Sequence, residues 1–222
     1  MAFEFDHLFI CVDIGAAVAA NLIDLGLVEG TANTHPGQGT ANRRFFFHNA
    51  MLELLWVRDP AEATAPLTRL TYLWERWQNR HLECPFGICL RPATADSDHV
   101  AFPHWIYQPT YLPEALSIAM GTNSAMLGEP LLFQTPFGKR PDQYDPKQAQ
   151  PLNHRTGWRE ITRVELISPT ADSISPALAA VLATRQLRLR RGAAYRIELG
   201  FDRERQGQRI DCRPDLPLIF TW

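Results

Sequence analysis

Two apolar runs, at residues 43–48 and 51–57, are separated only by Asn49 and Ala50. So short a link between two such runs makes an antiparallel hairpin. A hairpin alone is at best marginally stable in water, so it needs further strands and a covering element. Both lie upstream. Phe5-Asp6-His7-Leu8-Phe9-Ile10-Cys11-Val12 reads as a strand. Residues 16–26 read as an Ala-rich helix, with Asp13 to cap its start and Gly26 to stop it. A short extended piece at 27–29 follows. The first sixty residues therefore spell one βαβββ unit.

The last sixty residues repeat that order. A strand at 161–168 precedes a helix at 175–184, with Ser175 as cap and Pro176 at the first helical position. A strand at 187–190, a hairpin of 195–201 with 208–212, and a terminal strand at 216–220 complete it. Each unit has one face it cannot cover alone, so the two are expected to pack together. The middle does not fit the repeat. It holds a Trp- and Arg-rich helix at 67–80, short strands at 86–91 and 129–134, and proline-spaced aromatics at 103–113. A polar loop or lid at 136–157 carries Pro141, Pro146 and Pro151. The expected organisation is a first module at 1–60, an insertion at 61–159 and a second module at 160–222, all in one structural domain.

Hydrophobic residues make up 45% and charged residues 21% of the 222, with a net charge of −2. Those values suit a soluble globular protein and give no pull toward nucleic acid or an anionic membrane. No apolar run reaches the roughly 20 residues of a spanning helix. The N-terminus has no basic segment and passes directly into a strand, so the expected location is the cytoplasm. Cys11, Cys84, Cys89 and Cys212 are scattered, which reads as buried reduced thiols.

The chemistry-bearing residues cluster early. His7 lies near the start of the first strand, and Glu53 sits among leucines on the strand that closes the hairpin. A carboxylate there must face a cavity or be paired, because burying it alone is costly. The segment His35-Pro36-Gly37-Gln38-Gly39-Thr40-Ala41-Asn42-Arg43-Arg44 lacks both the G-x-G-x-x-G spacing and a Gly-Lys-Ser/Thr. It reads either as a structural turn or as a wall offering backbone N–H, the Thr40 hydroxyl and the Asn42 amide to a polar ligand. No Gly-x-Ser-x-Gly or His-Glu-x-x-His is present.

Two βαβββ units, with Asp6-His7-Leu8 on the first strand, the 35–43 loop, and Leu52-Glu53-Leu54 on the fourth, resemble the vicinal oxygen chelate superfamily. The likeness is greatest to its glyoxalase-like domain proteins. It implies an α+β fold in which two βαβββ modules pair into an open curved sheet or barrel, here with an aromatic, proline-rich insertion between them. In that superfamily a divalent metal, such as Fe, Mn, Ni or Zn, is typically bound by His and Glu of the first and fourth strands. Carried over, this gives His7 and Glu53. Aligning 6–8 with 163–165 puts Val164 where a ligand belongs; a slip of one residue would put Glu165 there but would turn it onto the other sheet face. Aligning 51–53 with 209–211 puts Asp211 opposite Glu53. The implied metal set is His7, Glu53 and Asp211, and the implied catalytic pair is Glu53 and His7.

Each assignment has a plainer counterpart. His7 reads equally as a hydrogen-bonded strand histidine, and Asp211 as a partner of Arg209 or Arg213. Substrate contacts are expected from Asn42, Arg44, Thr40 and His35, and from the aromatics Trp56, Trp105 and Tyr107, with Tyr111 as a further pocket candidate, any of which could instead be core. The resulting expectation is a glyoxalase-like enzyme, of lyase, isomerase or dioxygenase type, acting on a small oxygen-rich molecule. The alternatives are a metal-free small-molecule-binding protein of the same fold and an interaction scaffold. The partner is a small molecule rather than nucleic acid or membrane, and the chain is a monomer or a homodimer.

Overall fold

The structure is a computed structural model, and it describes residues 2–94, 99–135 and 138–222. Of the expected 136–157 loop, positions 136 and 137 lie outside the described residues. β1 (Phe3–Cys11) is the hub of the larger of two sheets. It pairs in parallel with β4 (Met51–Val57) on one side and antiparallel with β5 (Phe86–Pro92) on the other. Beyond β4 come β3 (Thr40–Phe46) and β2 (Asn33–His35). Beyond β5 come β8 (Leu131–Gln134), β7 (Ile118–Gly121) and β6 (His104–Tyr107). The order β2-β3-β4-β1-β5-β8-β7-β6 is two four-strand halves joined along the β1–β5 seam. The sheet curls into an open half-barrel, and the α+β class holds.

The smaller sheet holds β9 (Ile161–Ser168), β10 (Arg188–Arg191), β11 (Arg196–Phe201), β12 (Arg209–Asp211) and β13 (Leu218–Thr221), in the order β10-β9-β11-β13-β12. The half that completes the large sheet is therefore residues 86–134, not the C-terminal unit. The 61–159 segment expected as an insertion supplies β5–β8. Its strands are short and proline-flanked, and four residues carry too little alternation to be recognised as a module. The expected hairpin of 195–201 with 208–212 does not form either, because β13 lies between β11 and β12.

Four α-helices are described. α1 (Ala19–Leu25) ends at Gly26, whose φ of 114° makes the left-handed stop expected of it. Asp13 does not cap α1; a turn intervenes, and the Asp13 carboxylate pairs with Arg80 instead. The extended piece expected at 27–29 is displaced to β2. α2 (Pro60–Ala63) is capped by Asp59, and the helix expected at 67–80 is reduced to a single turn at 69–71 plus α3 (Leu73–Gln78). α4 (Pro176–Ala183) starts as expected, the Ser175 hydroxyl accepting from Leu178 N at 3.0 Å.

The two sheets share one core. Leu8, Ile10, Leu52, Leu54, Phe86 and Ile88 project from the large sheet toward Val164, Leu166, Ile197, Leu199, Leu218 and Phe220 of the small one. α1 and α4 contribute Ala19, Leu22, Leu178 and Val181 to the same cluster. With the back of the large sheet buried in this way, its alternate residues are left for the concave side. Phe9, Cys11, Leu55, Ile118, Met120 and Leu131 form a second apolar cluster there. The four cysteines are free, three of them buried.

Candidate functional site

The concave side encloses a cavity of about 1470 Å³. On β4, Met51, Glu53 and Leu55 line it, while Leu52 and Leu54 enter the core behind. On β3, Asn42, Arg44 and Phe46 line it. On β1 the alternation is interrupted. The pairing with β5 runs Phe5↔Leu90 and then His7↔Cys89, so Asp6 is an extra, bulged residue. The bulge brings Asp6 and His7 both to the cavity, where simple alternation would admit only one.

Two polar atoms meet over the floor. His7 Nε2 lies 3.7 Å from Glu53 Oε2. Each group is held from behind. His7 Nδ1 is 2.6 Å from Asp6 Oδ1, and the second Asp6 oxygen accepts from Arg91 Nη1 at 3.2 Å. Arg91 is only 3% exposed and also binds Glu4 at 2.7 Å. Glu53 Oε1 accepts from Asn42 Nδ2 at 2.5 Å, and Asn42 Oδ1 accepts from Asn33 N at 2.7 Å. Asn42 is thereby fixed with its amide N–H toward the carboxylate.

These contacts set the charges. Burial alone would raise the Asp6 carboxyl, but the hydrogen bond and charge of His7, together with Arg91, hold it below its usual 3.8. Burial alone would favour a neutral His7 ring. Cys89 across the seam and the Asp6 carboxylate outweigh it and lift His7 well above 6.5. His35 moves the other way, lowered chiefly by burial.

One wall is a chain of hydrogen bonds. Tyr111 O–H donates to Gln38 Oε1 at 3.2 Å, Gln38 Nε2 donates to Thr40 Oγ1 at 2.8 Å, and that hydroxyl is 2.8 Å from His35 Nδ1. The glycine loop positions this chain. A Cβ on Gly37 would lie 1.9 Å from Thr110 Oγ1, and one on Gly39 would lie 2.3 Å from the Asp59 carbonyl oxygen. Both glycines have positive φ, so the loop is a tight clamp that only glycine allows.

Of the expected site residues, His7, Glu53, Asn42, Arg44, His35 and Tyr107 are brought to the cavity. Thr40 stands just behind it, orienting His35 and Gln38. Trp56 is not there: it alternates with Leu55 on β4 and packs against the core behind the sheet. Trp105 lies outside the lining, its indole N–H bonded to Ser124 Oγ and its ring edge-on to Tyr107 at 6.0 Å. Asp211 is on an outer strand of the other sheet, where Arg213 binds it at 2.5 Å and lowers its pKa to about 2. Tyr111, read with the other aromatics as a pocket candidate, is also in the lining, whereas Asp6, Gln38, Arg91, Lys139 and Lys147 escaped the sequence reading. Asp6 adjoins His7 in the quoted motif, yet only the β5 register turns it inward.

A divalent metal has two places to be tested. Asp6, His7 and Cys89 present donor atoms within 4.8 Å of one another. Asp6 is already engaged by Arg91 and His7, however, and the Cys89 thiol is wholly buried with its pKa raised by that burial. The other place lies between His7 Nε2 and Glu53 Oε2, the two donor atoms that meet over the cavity floor. They fit an ion as a two-point seat, with its remaining positions left to water or ligand oxygens.

A family model described as "Glyoxalase-like domain" matches residues 5–182. The chain belongs to this glyoxalase-like domain family. Among solved structures, a hypothetical protein from Staphylococcus aureus is similar over 99% of both chains, at 12% identity and a TM-score of 0.54. A hypothetical protein from Bacillus halodurans C-125 matches 63% of this chain and 98% of its own, at 14% identity and a TM-score of 0.42. Streptomyces coelicolor methylmalonyl-CoA epimerase, solved with 2-nitronate-propionyl-CoA, matches 63% of this chain and 99% of its own, at 16% identity and a TM-score of 0.40. No curated protein matches the chain. No helix among the described residues is long and apolar enough to cross a membrane.

Proposed function

We propose that this chain is a glyoxalase-like enzyme that moves a proton on a small oxygen-rich molecule held in the half-barrel cavity. One observation carries the reading: His7 Nε2 and Glu53 Oε2 face each other at 3.7 Å over the cavity floor, each fixed by its own partner. Glu53 is the base. It takes a proton from a carbon next to a carbonyl, and the C–H electron pair moves onto the carbonyl oxygen. His7, kept protonated by Asp6, donates to that oxygen as charge builds there. Return of the proton to the carbon gives isomerisation or exchange. Asn42 positions the Glu53 carboxylate, and Phe9, Leu131 and Phe133 exclude water from an apolar part of the ligand.

A metal-assisted version is favoured by the same two atoms. His7 Nε2 and Glu53 Oε2 would hold the ion, which supplies Lewis-acid polarisation of ligand oxygens. Deuterium exchange of carbon-bound protons in D2O, followed by NMR across small 2-oxo and 2-hydroxy acids and aldehydes, tests the main reading. The expected result is exchange in at least one compound, slowed about 10²- to 10⁴-fold in Glu53→Gln with thermal-shift binding retained. Binding without exchange would make the chain a ligand-binding protein instead. Metal content of protein purified without a metal column, wild type beside His7→Ala, separates the two versions.

A further inference from the structure

The chain has two lysines, Lys139 and Lys147, and both line the cavity. They come from the segment that follows β8, while Arg44 reaches the same cavity from β3. Among the described residues neither lysine forms an ion pair, and Arg44 spends its Nε on the Thr31 carbonyl at 2.7 Å. The acids lining the cavity are already engaged. Asp6 serves His7 and Arg91, Glu53 serves Asn42, and Asp145 accepts from the Lys147 backbone N–H at 2.9 Å. Two lysines without an ion-pair partner, with Arg44 opposite Glu53 beside them, thus border a cavity that also has an apolar wall.

We infer that the ligand carries an oxyanion, a carboxylate or phosphate, which Lys139, Lys147 and Arg44 receive. Its apolar body lies against the Phe9, Leu131 and Phe133 side of the cavity. The inference rests on the proposed reading of the cavity as a small-molecule site, and it names the class of molecule. Lysines suit this task because their flexible point charges accept an anion without demanding a fixed fork geometry. Both are exposed, so replacing them leaves the core untouched.

Calorimetry and thermal shift with three probes test it: mandelate, its uncharged methyl ester, and phenyl phosphate. Wild type is set beside Lys139→Ala/Lys147→Ala and the corresponding double Arg variant. The expected result is that at least one anionic probe binds and the ester binds at least about tenfold more weakly. The double Ala variant should lose about tenfold or more for the anion and nothing for the ester, and the Arg pair should restore it. Affinity should also fall with added salt. Preference for mandelate assigns the anion as a carboxylate, and preference for phenyl phosphate as a phosphate. Equal binding of acid and ester, unchanged binding by the double Ala variant, or no anion binding at millimolar concentration overturns the inference. Deuterium exchange on the same samples reports on the proton-transfer reading separately: Lys-dependent binding without exchange refutes that reading and leaves this one standing.

Discussion

Gly39 and Gly157 share a backbone φ of +76° but differ in their surroundings, and that contrast isolates what the glycine loop does. A Cβ at Gly157 meets nothing within 4 Å. A Cβ at Gly39 would sit 2.3 Å from the Asp59 carbonyl oxygen and 2.8 Å from Ala63 N. Neither obstacle can swing away as a side-chain tip could. Arg58 N and Asp59 N both donate to the Gly39 carbonyl, and Asp59 caps α2 through Ala61 N and Glu62 N. Left-handed backbone costs a non-glycine residue about 1–2 kcal/mol, so Gly157→Ala should lose about that much. Gly39→Ala adds about 1–3 kcal/mol for overpacking, for a total of about 2–5 kcal/mol. For a chain of this size each kcal/mol shifts Tm by about 2–4 °C, giving a drop of about 4–20 °C for Gly39→Ala against about 2–8 °C for Gly157→Ala. The difference should also appear in ligand binding, because Gly39 sits between Gln38 and Thr40. Urea and thermal melts of both variants decide the matter. Equal losses would refute the argument that close backbone contact, rather than φ alone, fixes the loop.

Further outcomes follow from the same contacts. Arg91→Met removes a buried cation from the half-buried Asp6 carboxylate, and urea denaturation should register a loss of about 1–3 kcal/mol. Because the folded His7 pKa is raised, the native state binds more protons than the unfolded one above pH 6.5. The His7 contribution is therefore full below 6.5 and lost as pH rises through the folded value; matching alkaline limbs in wild type and His7→Gln would contradict this. Asp6 has the opposite sign. Its contribution is complete above 3.8 and lost as pH falls through the lower folded value, so Asp6→Asn should have the shallower acid limb in urea midpoints. Asp211→Ala should leave metal content and ligand binding unchanged, since its carboxylate is engaged by Arg213 on the other sheet.

The first module was legible because each of its signals is local. The short link between the two runs does make the β3–β4 hairpin, although the turn falls at His48 and Asn49, with Phe47 N donating to the Ala50 carbonyl, one residue earlier than Asn49-Ala50. Gly26 stops α1, and period-two alternation assigns Glu53 to one face and Leu52 and Leu54 to the other. What failed was non-local. β1 must choose an antiparallel partner, and Phe86, Ile88 and Leu90 supply the matching apolar face with no sequence mark of their role. Trp56 shows the same limit in miniature. Its alternation with Leu55 was readable, but which face holds the cavity depends on the strands beyond β5. His7 and Glu53, the pair proposed to do the acid–base work, could be named from the sequence, whereas Asp6 required the one-residue bulge against β5. The lysines were visible as the chain's only two, yet nothing local ties residues 139 and 147 to the hairpin that carries Arg44.

The order of the second sheet, β10-β9-β11-β13-β12, reproduces β4-β1-β5-β8-β7 of the first: a central antiparallel pair with a parallel partner on each side. This is not the repeat read from element order, which matched the last sixty residues to the first sixty: β11, β13 and β12 answer to β5, β8 and β7 of residues 86–134 rather than to β3 and β4. At the seam of the first sheet His7 faces Cys89; at the seam of the second Glu165 faces Glu198. Like charges directly opposite repel, so cations must hold them together. Arg163 reaches Glu165 at 2.9 Å and Glu198 at 3.8 Å, Arg190 reaches them at 3.5 and 3.4 Å, and Arg196 binds Glu198 at 3.1 Å. Both carboxylates are thus engaged within the sheet itself. Among the described residues the second sheet also has no strands corresponding to β2, β3 and β6, the ones that raise walls around the first. A seam becomes a site only where walls exclude solvent and at least one donor stays open. In this chain the walls and an open donor come together at His7 and Glu53, the pair proposed as the site, and the second sheet serves to bury the back of the first.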